Sequence, residues 1–492
     1  MATDIITALK RAAATPDRPW LLNDTPATYA DLLAATARLA NTLHALGLTK
    51  GDRLLLQAEK CPEVLTLYLA CLRAGIVFLP VNPAYTLAET QHFLTDAEPA
   101  LAVADPDRSL AIAATGARSA ALPDLLAAAA TQSPDFSDPA HDPDDLAAIL
   151  YTSGTTGRSK GVMLSRDNLA TNAQTLVTLW RFADTDVLLH ALPVFHTHGL
   201  FVATNCALLS GSALIFQRSF SPDAVLAALP QATVMMGVPT FYTRLLSDPR
   251  LTPDACAHVR LFISGSAPLS PATHADWQVR TGHAILERYG MTETNMITSN
   301  PWSGARKAGT VGLPLPGVSV RVTGPDGTPL PPGEAGSIEV RGPNVFHGYW
   351  RLPEKTAAEF RDRWFITGDL GAFDADGYLS ILGRAKDLVI TGGLNVYPAE
   401  VESALDDLPG VAASAVIGLP HPDFGEAVVA CLVPAPGKTL DETDLRHALR
   451  DRLAAFKIPK RLIFLADLPR NAMGKVQKAE LRKTYANLFS QG

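Results

Sequence analysis

Through the first 150 residues the apolar positions switch between two spacings. PATYADLLAATARLANTLHALGL (26–48) carries them at helical intervals, and GDRLLLQAE (51–59) packs them into a short strand-like run. CPEVLTLYLACLRAG (61–75) followed by IVFLPVN (76–82) repeats the order. From about 185 to 290, DVLLHALPV, SALIFQ, ATVMMGVP and VRLFISGSAP read as strands separated by helices. Such alternation predicts an α/β fold with mainly parallel sheets covered by helices. The Ala-biased stretch LAIAATGARSAALPDLLAAAATQSPDFSDPAHDPDD (110–145) reads as surface connection.

Near residue 310 the pattern changes. GTVGLPLPGVSVRVTGPDGTPLPPGEAGSIEVRGPNVFHGYW is dense in Gly, Pro and β-branched residues, so antiparallel structure is expected, as a small β-barrel. After GRAKDLVITGGLNVYP (383–398) helices and strands return in a final segment of about 105 residues, the size of a small domain. The expected division is 1–385 and 386–492.

The 492 residues are too many for one core, which agrees with that division. At 47% apolar and 18% charged the chain is an ordinary globular one. Its net charge of −7 has no basic run, which argues against nucleic acid as a partner. The N-terminus has no apolar signal core, and the greasiest stretch, LTLYLACLRAGIVFLPV, is broken by Arg73 and Gly75, so no membrane span is expected. Cys61, Cys71, Cys206, Cys256 and Cys431 lie far apart, as buried thiols in a reducing compartment would. A cytoplasmic protein is expected, as a monomer or a homodimer.

One loop carries candidate chemistry. YTSGTTGRSK (151–160) follows an apolar strand with glycines, hydroxyls and a lysine, which suits phosphate oxygens. It is not the Walker spacing, because Lys160 follows Gly157 by three. Taken alone, it is a phosphate cradle or a polar turn.

Further motifs follow in order: ALPVFHTHGL, LFISGSAPLS, ERYGMTET, FITGDLG, GRAKDLVITGGLNVYP and PRNAMGKVQK. With the loop, they resemble the motif series of the adenylate-forming superfamily of acyl-CoA synthetases, luciferases and peptide-synthetase adenylation domains. The resemblance covers essentially the whole chain. It implies a large N-terminal domain of two sheet–helix subdomains plus a β-barrel, and a small mobile C-terminal α+β domain. It also implies a two-step reaction: a carboxylate attacks the α-phosphate of Mg2+–ATP, and a thiol, coenzyme A, then displaces AMP from the acyl-adenylate.

Residue roles follow from the same resemblance. Thr152, Ser153, Gly154, Thr155, Thr156, Gly157 and Lys160 match the pyrophosphate cradle. Gly265, Ser266 and Ala267 match the adenine-contacting segment, and Glu287, Arg288, Tyr289, Gly290 and Met291 lead along the nucleotide to Thr292 at the α-phosphate. Glu293, with Thr152, is the expected Mg2+ site, since a hard dication on phosphates prefers carboxylate oxygen. Asp369 with Arg384 is expected to hold the ribose. Lys475 is the expected catalytic lysine, stabilising charge that grows in the adenylation transition state. Lys386 occupies the hinge position; Gly392, Gly393 and Leu394 match the loop that admits pantetheine. A lysine acetyltransferase and deacetylase acting on Lys475 are expected regulatory partners.

His196 aligns with the histidine near the carboxylate, with Ser264 and Met291 also on the acyl side. Three histidines close together (His190, His196, His198) have no acidic or Cys partner spaced to complete a zinc site. Arg244, in GVPTFYTRLL, is either a surface residue or a pocket cation for a second carboxylate. ILYTSGTTGRSKGVMLSRDNL, HALPVFHTHGLFVATN, GVPTFYTRLL and ERYGMTETNM are most similar to bacterial malonyl-CoA synthetases, in which the corresponding arginine holds the distal carboxylate. Malonate is therefore the expected substrate, with methylmalonate also accepted. The alternatives are another short-chain acyl-CoA synthetase, or a stand-alone adenylation enzyme loading a carrier protein, the latter disfavoured because no carrier-like segment follows Gly492.

Overall fold

The computed structural model describes residues 3–23, 25–152, 159–450, 452–471 and 474–489. Two largely parallel sheets form the large N-terminal part. In the nine-stranded sheet, Leu286–Met291, Leu261–Ser264, Val234–Gly237, Val187–His190, Ala213–Phe216 and Pro19–Leu21 pair in parallel, in that spatial order. The seven-stranded sheet centres on Leu146–Thr152, Val77–Pro80, Arg53–Gln57 and Leu101–Ala104, again parallel. These central strands are buried on both faces, which is why they read as continuous apolar runs rather than as alternation.

Several helices start where the chain supplies side-chain acceptors for their free N–H groups. Thr28 with Asp31, Thr86 with Glu89 and Ser165 with Asn168 each close a reciprocal capping box. The last of these launches Arg166–Leu179 directly from the strand Lys160–Ser165, fixing the exit of the phosphate loop.

Two expectations need correction. The Ala-rich stretch is not mere connection: the helix Leu122–Ala130 buries Leu122, Leu125 and Ala129, and Ser119–Ala121 adds an edge strand. Alanine is the best helix former, so a run without strong periodicity still folds once a few leucines find the core. The expected barrel is a five-stranded antiparallel sheet. The long strand Trp364–Phe373 pairs with Gly336–Arg341 along one edge and with Phe360–Arg361 and Leu379–Arg384 along the other. Among the described residues no pairing joins Ser319–Thr323 back to those partners, so the sheet stays open.

Strands from Val389 onward form a separate sheet with its own core around Val389, Val401, Val416 and Leu432. A short turn, Ala385–Asp387, carries the chain from one sheet to the other. Asp387 is ion-paired to Arg482 of the helix Lys478–Thr484, which ties the turn to the small C-terminal domain. No helix among the described residues is long and apolar enough to cross a membrane.

Candidate active site

The strands Leu261–Ser264 and Leu286–Met291 are neighbours in the nine-stranded sheet, with Ser264 paired to Glu287. Their C-terminal ends bring the expected nucleotide segments side by side. This is the usual position for a ligand in an open α/β sheet. Gly265 leaves the first strand against Arg288 of the second, and a Cβ at 265 would overlap the guanidinium. Ser266 has φ +71°, a left-handed conformation that costs a non-glycine residue energy, and its Oγ lies 3.2 Å from His198 Nδ1. Ala267 continues the turn towards Ser270, which caps the helix Pro271–Thr281.

At the ribose end, Asp369 is buried, receives Nε of Arg384 at 2.8 Å and accepts from the Tyr289 hydroxyl at 2.5 Å. Burial raises its carboxyl pKa, and the Arg384 guanidinium pulls back against that rise. A carboxylate fixed by two donors is preorganised to accept from a diol. The hairpin between Leu286–Met291 and Asn295–Ser299 carries Thr292 and Glu293. Gly290 lies in its first strand, so close to Asn295 that no side chain fits.

Glu293 is buried, and burial raises its carboxyl pKa. Its Oε1 lies 3.0 Å from the Tyr349 hydroxyl. Thr152 ends the strand Leu146–Thr152, and Lys160 begins the next. Ser153, Gly154, Thr155, Thr156 and Gly157 lie outside the described residues. Among the described residues no group of three or more His, Cys, Asp or Glu could hold a metal ion. A single buried carboxylate suits Mg2+, which keeps most of its shell in water and substrate phosphate. There the ion would neutralise charge on the phosphates.

The expected catalytic lysine is at the site. The turn carrying Lys475 is closed by bonds from Asn471 N to Lys475 O (2.9 Å) and from Lys475 N to Asn471 Oδ1 (3.0 Å). Gly474 in that turn packs against Thr240 of the helix Pro239–Leu246. Lys475 is open to solvent along the cleft, yet protein atoms crowd it closely. Burial, and then Arg384 and Arg288, lower its amine pKa, while Asp369 and Glu293 oppose them. His196 feels the same amine: burial first, then Lys475, pushes its imidazole down to about 3, so it is neutral.

Arg288 was expected to serve only the nucleotide. It is 2% exposed, and neither Nε nor Nη2 has a hydrogen-bond partner. Burial lowers its pKa to about 9, with Tyr242 and Glu287 resisting. Ser264 Oγ on the neighbouring strand and His198 Nε2, which feels the Arg288 charge, are also buried and unpartnered, as is Thr197 Oγ1 beside His198 in the chain. Glu287, pushed up to about 8 by burial, spends Oε1 on the Leu269 N–H. Thr197 was not picked out from the sequence, where nothing distinguishes it from any loop threonine.

The π-helical turn His198–Thr204 presents this cluster; Gly199 within it packs on the Pro193 carbonyl, where a Cβ cannot fit. His190 is a packed core residue. Its Nε2 donates to the Gly199 carbonyl at 2.9 Å, and its Nδ1 receives Lys60 Nζ at 3.2 Å.

Arg244 stands elsewhere. It is exposed, and its guanidinium makes no hydrogen bond or ion pair with a described residue. It lines a cavity of about 440 Å³ between the domains, together with Lys60, Arg218, Phe220, Phe241 and Arg470. Met291 is half-buried beside the main core. Gly392 and Gly393 form the turn of the hairpin Val389–Thr391/Leu394–Val396, whose second strand opens with Leu394, 48% exposed. Lys386 is in the connecting turn, its pKa lowered by burial.

Comparison with known proteins agrees with this assembly. Residues 9–350 match the AMP-binding enzyme family and residues 400–475 its C-terminal domain. The chain is 40% identical to a feruloyl-CoA synthase from Amycolatopsis sp over 467 residues, 94% of each chain. It is 37% identical to a malonate–CoA ligase from Arabidopsis thaliana over 484 residues, 90% of this chain and 79% of that one. The crystal structure of ATP-bound MatB from Rhodopseudomonas palustris superposes with a TM-score of 0.95 at 56% identity, covering 99% of this chain and 100% of that one. The chain belongs to the AMP-binding enzyme family and is an enzyme of its AMP-forming ligase class.

Proposed function

We propose that the protein is an ATP-dependent malonyl-CoA synthetase, converting malonate, ATP and CoA to malonyl-CoA, AMP and diphosphate through malonyl-adenylate. The observation that carries the substrate is Arg288. A buried guanidinium without a partner costs stability, and such a cation is retained where an anion completes it. The reacting carboxylate is consumed by adenylation; a second carboxylate on the same small acid supplies the missing charge. A planar fork meets a carboxylate with two parallel bonds, and Ser264 on the neighbouring strand adds a hydroxyl. An aromatic acid such as ferulate would leave the guanidinium unpaired. Arg244, which lines the cavity of about 440 Å³, is the second candidate for the distal carboxylate.

Lys475 is electrostatically coupled to Asp369, Arg384 and Glu293 while Gly392–Leu394 stay on an exposed hairpin. This suits the adenylation half-reaction. Lys475 stabilises charge as the carboxylate attacks the α-phosphate, and neutral His196 can donate to an oxygen without competing as a base. For the second half-reaction, rotation about Lys386 would bring the glycine hairpin towards the site and withdraw the lysine. Methylmalonate adds one methyl and keeps both carboxylates, so it is a second substrate.

The test is thioester formation with acetate, butyrate, malonate, methylmalonate, succinate and ferulate at fixed ATP and CoA. Malonate and methylmalonate should lead in kcat/KM. Preference for butyrate or ferulate would refute the dicarboxylate reading while leaving the enzyme class intact.

A further inference from the structure

Lys160 opens the strand Lys160–Ser165, which pairs antiparallel with Gly348–Tyr349 in the register Tyr349 opposite Val162. Residues two apart share a face of a strand. Lys160 therefore lies diagonally beside Tyr349, and its Nζ sits 4.0 Å from the ring centroid. The helix Pro353–Ala358 follows immediately and delivers Glu359 to the same spot. The Glu359 carboxylate takes Lys160 Nζ at 3.1 Å, Lys355 Nζ at 2.9 Å and the Tyr349 hydroxyl at 2.5 Å.

That hydroxyl is also 3.0 Å from Oε1 of Glu293. One phenol thus touches two carboxylates: the expected Mg2+ ligand, and the anchor of the phosphate-loop lysine. Neither Tyr349 nor Glu359 has been assigned a role so far. Lys160 and Glu359 are each only about a fifth exposed, so the pair is more tightly held than a surface ion pair. An ammonium has three donors, and Glu359 occupies one of those of Lys160, leaving donors for phosphate oxygens.

We propose that Glu359 is a positioning residue for the β,γ-phosphate end of the nucleotide. Acting through Lys160 and Tyr349, it sets where the loop lysine and Glu293 meet the Mg2+–polyphosphate. The inference rests on the nucleotide reading above and adds to it a residue outside the recognised motifs. AMP lacks the β- and γ-phosphates, so its binding does not depend on this relay.

The experiment is calorimetric titration of the full-length protein with Mg2+–ATP and, separately, with AMP, without carboxylate or CoA. Glu359→Gln keeps the shape and removes the charge. It should weaken Mg2+–ATP about tenfold, the usual loss for a group that orients a metal ligand, and leave AMP within about twofold. Tyr349→Phe keeps the ring and breaks the link to Glu293. It should raise severalfold the Mg2+ concentration that half-saturates ATP binding, with AMP again unaffected. Glu359→Asp, which restores the charge, should recover part of the Mg2+–ATP affinity. Parallel loss of both affinities, with a lower Tm, would show a merely structural role and overturn the proposal; so would an unchanged ratio in both variants. A wild-type protein that bound no Mg2+–ATP would count against the nucleotide reading itself, a result distinct from either.

Discussion

Arg288→Met is the substitution that bears most directly on substrate. Methionine is similar in length, so the enclosed volume stays largely filled. What disappears is a cation whose pKa burial lowers from the usual guanidinium range to about 9. That depression corresponds to roughly 5 kcal/mol at most of unfavourable burial, at 1.36 kcal/mol per pKa unit. The ligand-free variant should therefore be as stable as the parent or more so, because an uncompensated buried charge has gone. The malonate reaction should suffer the opposite fate. Stranding one member of a buried charge pair costs about 2–5 kcal/mol, or roughly thirtyfold to several thousandfold in kcat/KM. Pyrophosphate release with malonate and with butyrate gives the selectivity ratio, and differential scanning gives Tm. The malonate-to-butyrate ratio should collapse while Tm holds. Arg244→Met should shift the ratio less than about threefold, since an exposed cation is screened by solvent. A collapse with Arg244→Met and not with Arg288→Met would move the distal carboxylate to the open cavity. A flat ratio in both would remove the physical support for a dicarboxylate.

Lys475→Ala should slow adenylation by about two to three orders of magnitude, as loss of a preorganised charge does, while supplied malonyl-adenylate is still converted to thioester. Equal damage to both steps in rapid-quench assays would end that division of labour. We further propose that acetylating Lys475, which removes its charge, silences adenylation reversibly; full ATP–pyrophosphate exchange by the acetylated protein would refute it. Lys386→Pro, which locks φ, should spare exchange and abolish thioester formation, and intact turnover would place the pivot elsewhere. Burial holds His196 at about 3 and lowers His190 and His198 as well. Their unfolded forms take protons below about pH 6.5, so this contribution to stability is complete above that pH and lost as pH falls towards the folded values. Tm should drop between pH 7 and pH 4, and less so in His196→Asn; identical curves would contradict the burial argument.

How far the sequence reached depends on the range of the interaction involved. The continuous apolar runs VLLH, ALIF, VMMG and LFIS already specified buried parallel strands, because burial on both faces leaves no polar position to alternate with. Asp369, Arg384 and Tyr289 were legible through ordered motifs, and the fold brings them into one hydrogen-bonded group. The open five-stranded sheet was not legible: Gly- and Pro-rich strands announce antiparallel pairing, but closure depends on which edges meet. Likewise, no local pattern separates Arg244 from Arg288. Each is the one arginine of its short segment, GVPTFYTRLL or ERYGMTET; only the packing of two parallel strands, with a glycine at 265, encloses one of them. Tyr349 and Glu359 lie 56 and 66 residues after Glu293 in the chain, and Glu359 meets Lys160 across 199 residues. Motifs record what each segment is shaped to touch. Which side chains lose their water, and which charges then lack a partner, is decided only when distant segments pack together, since desolvation belongs to the assembled surroundings and not to any residue alone.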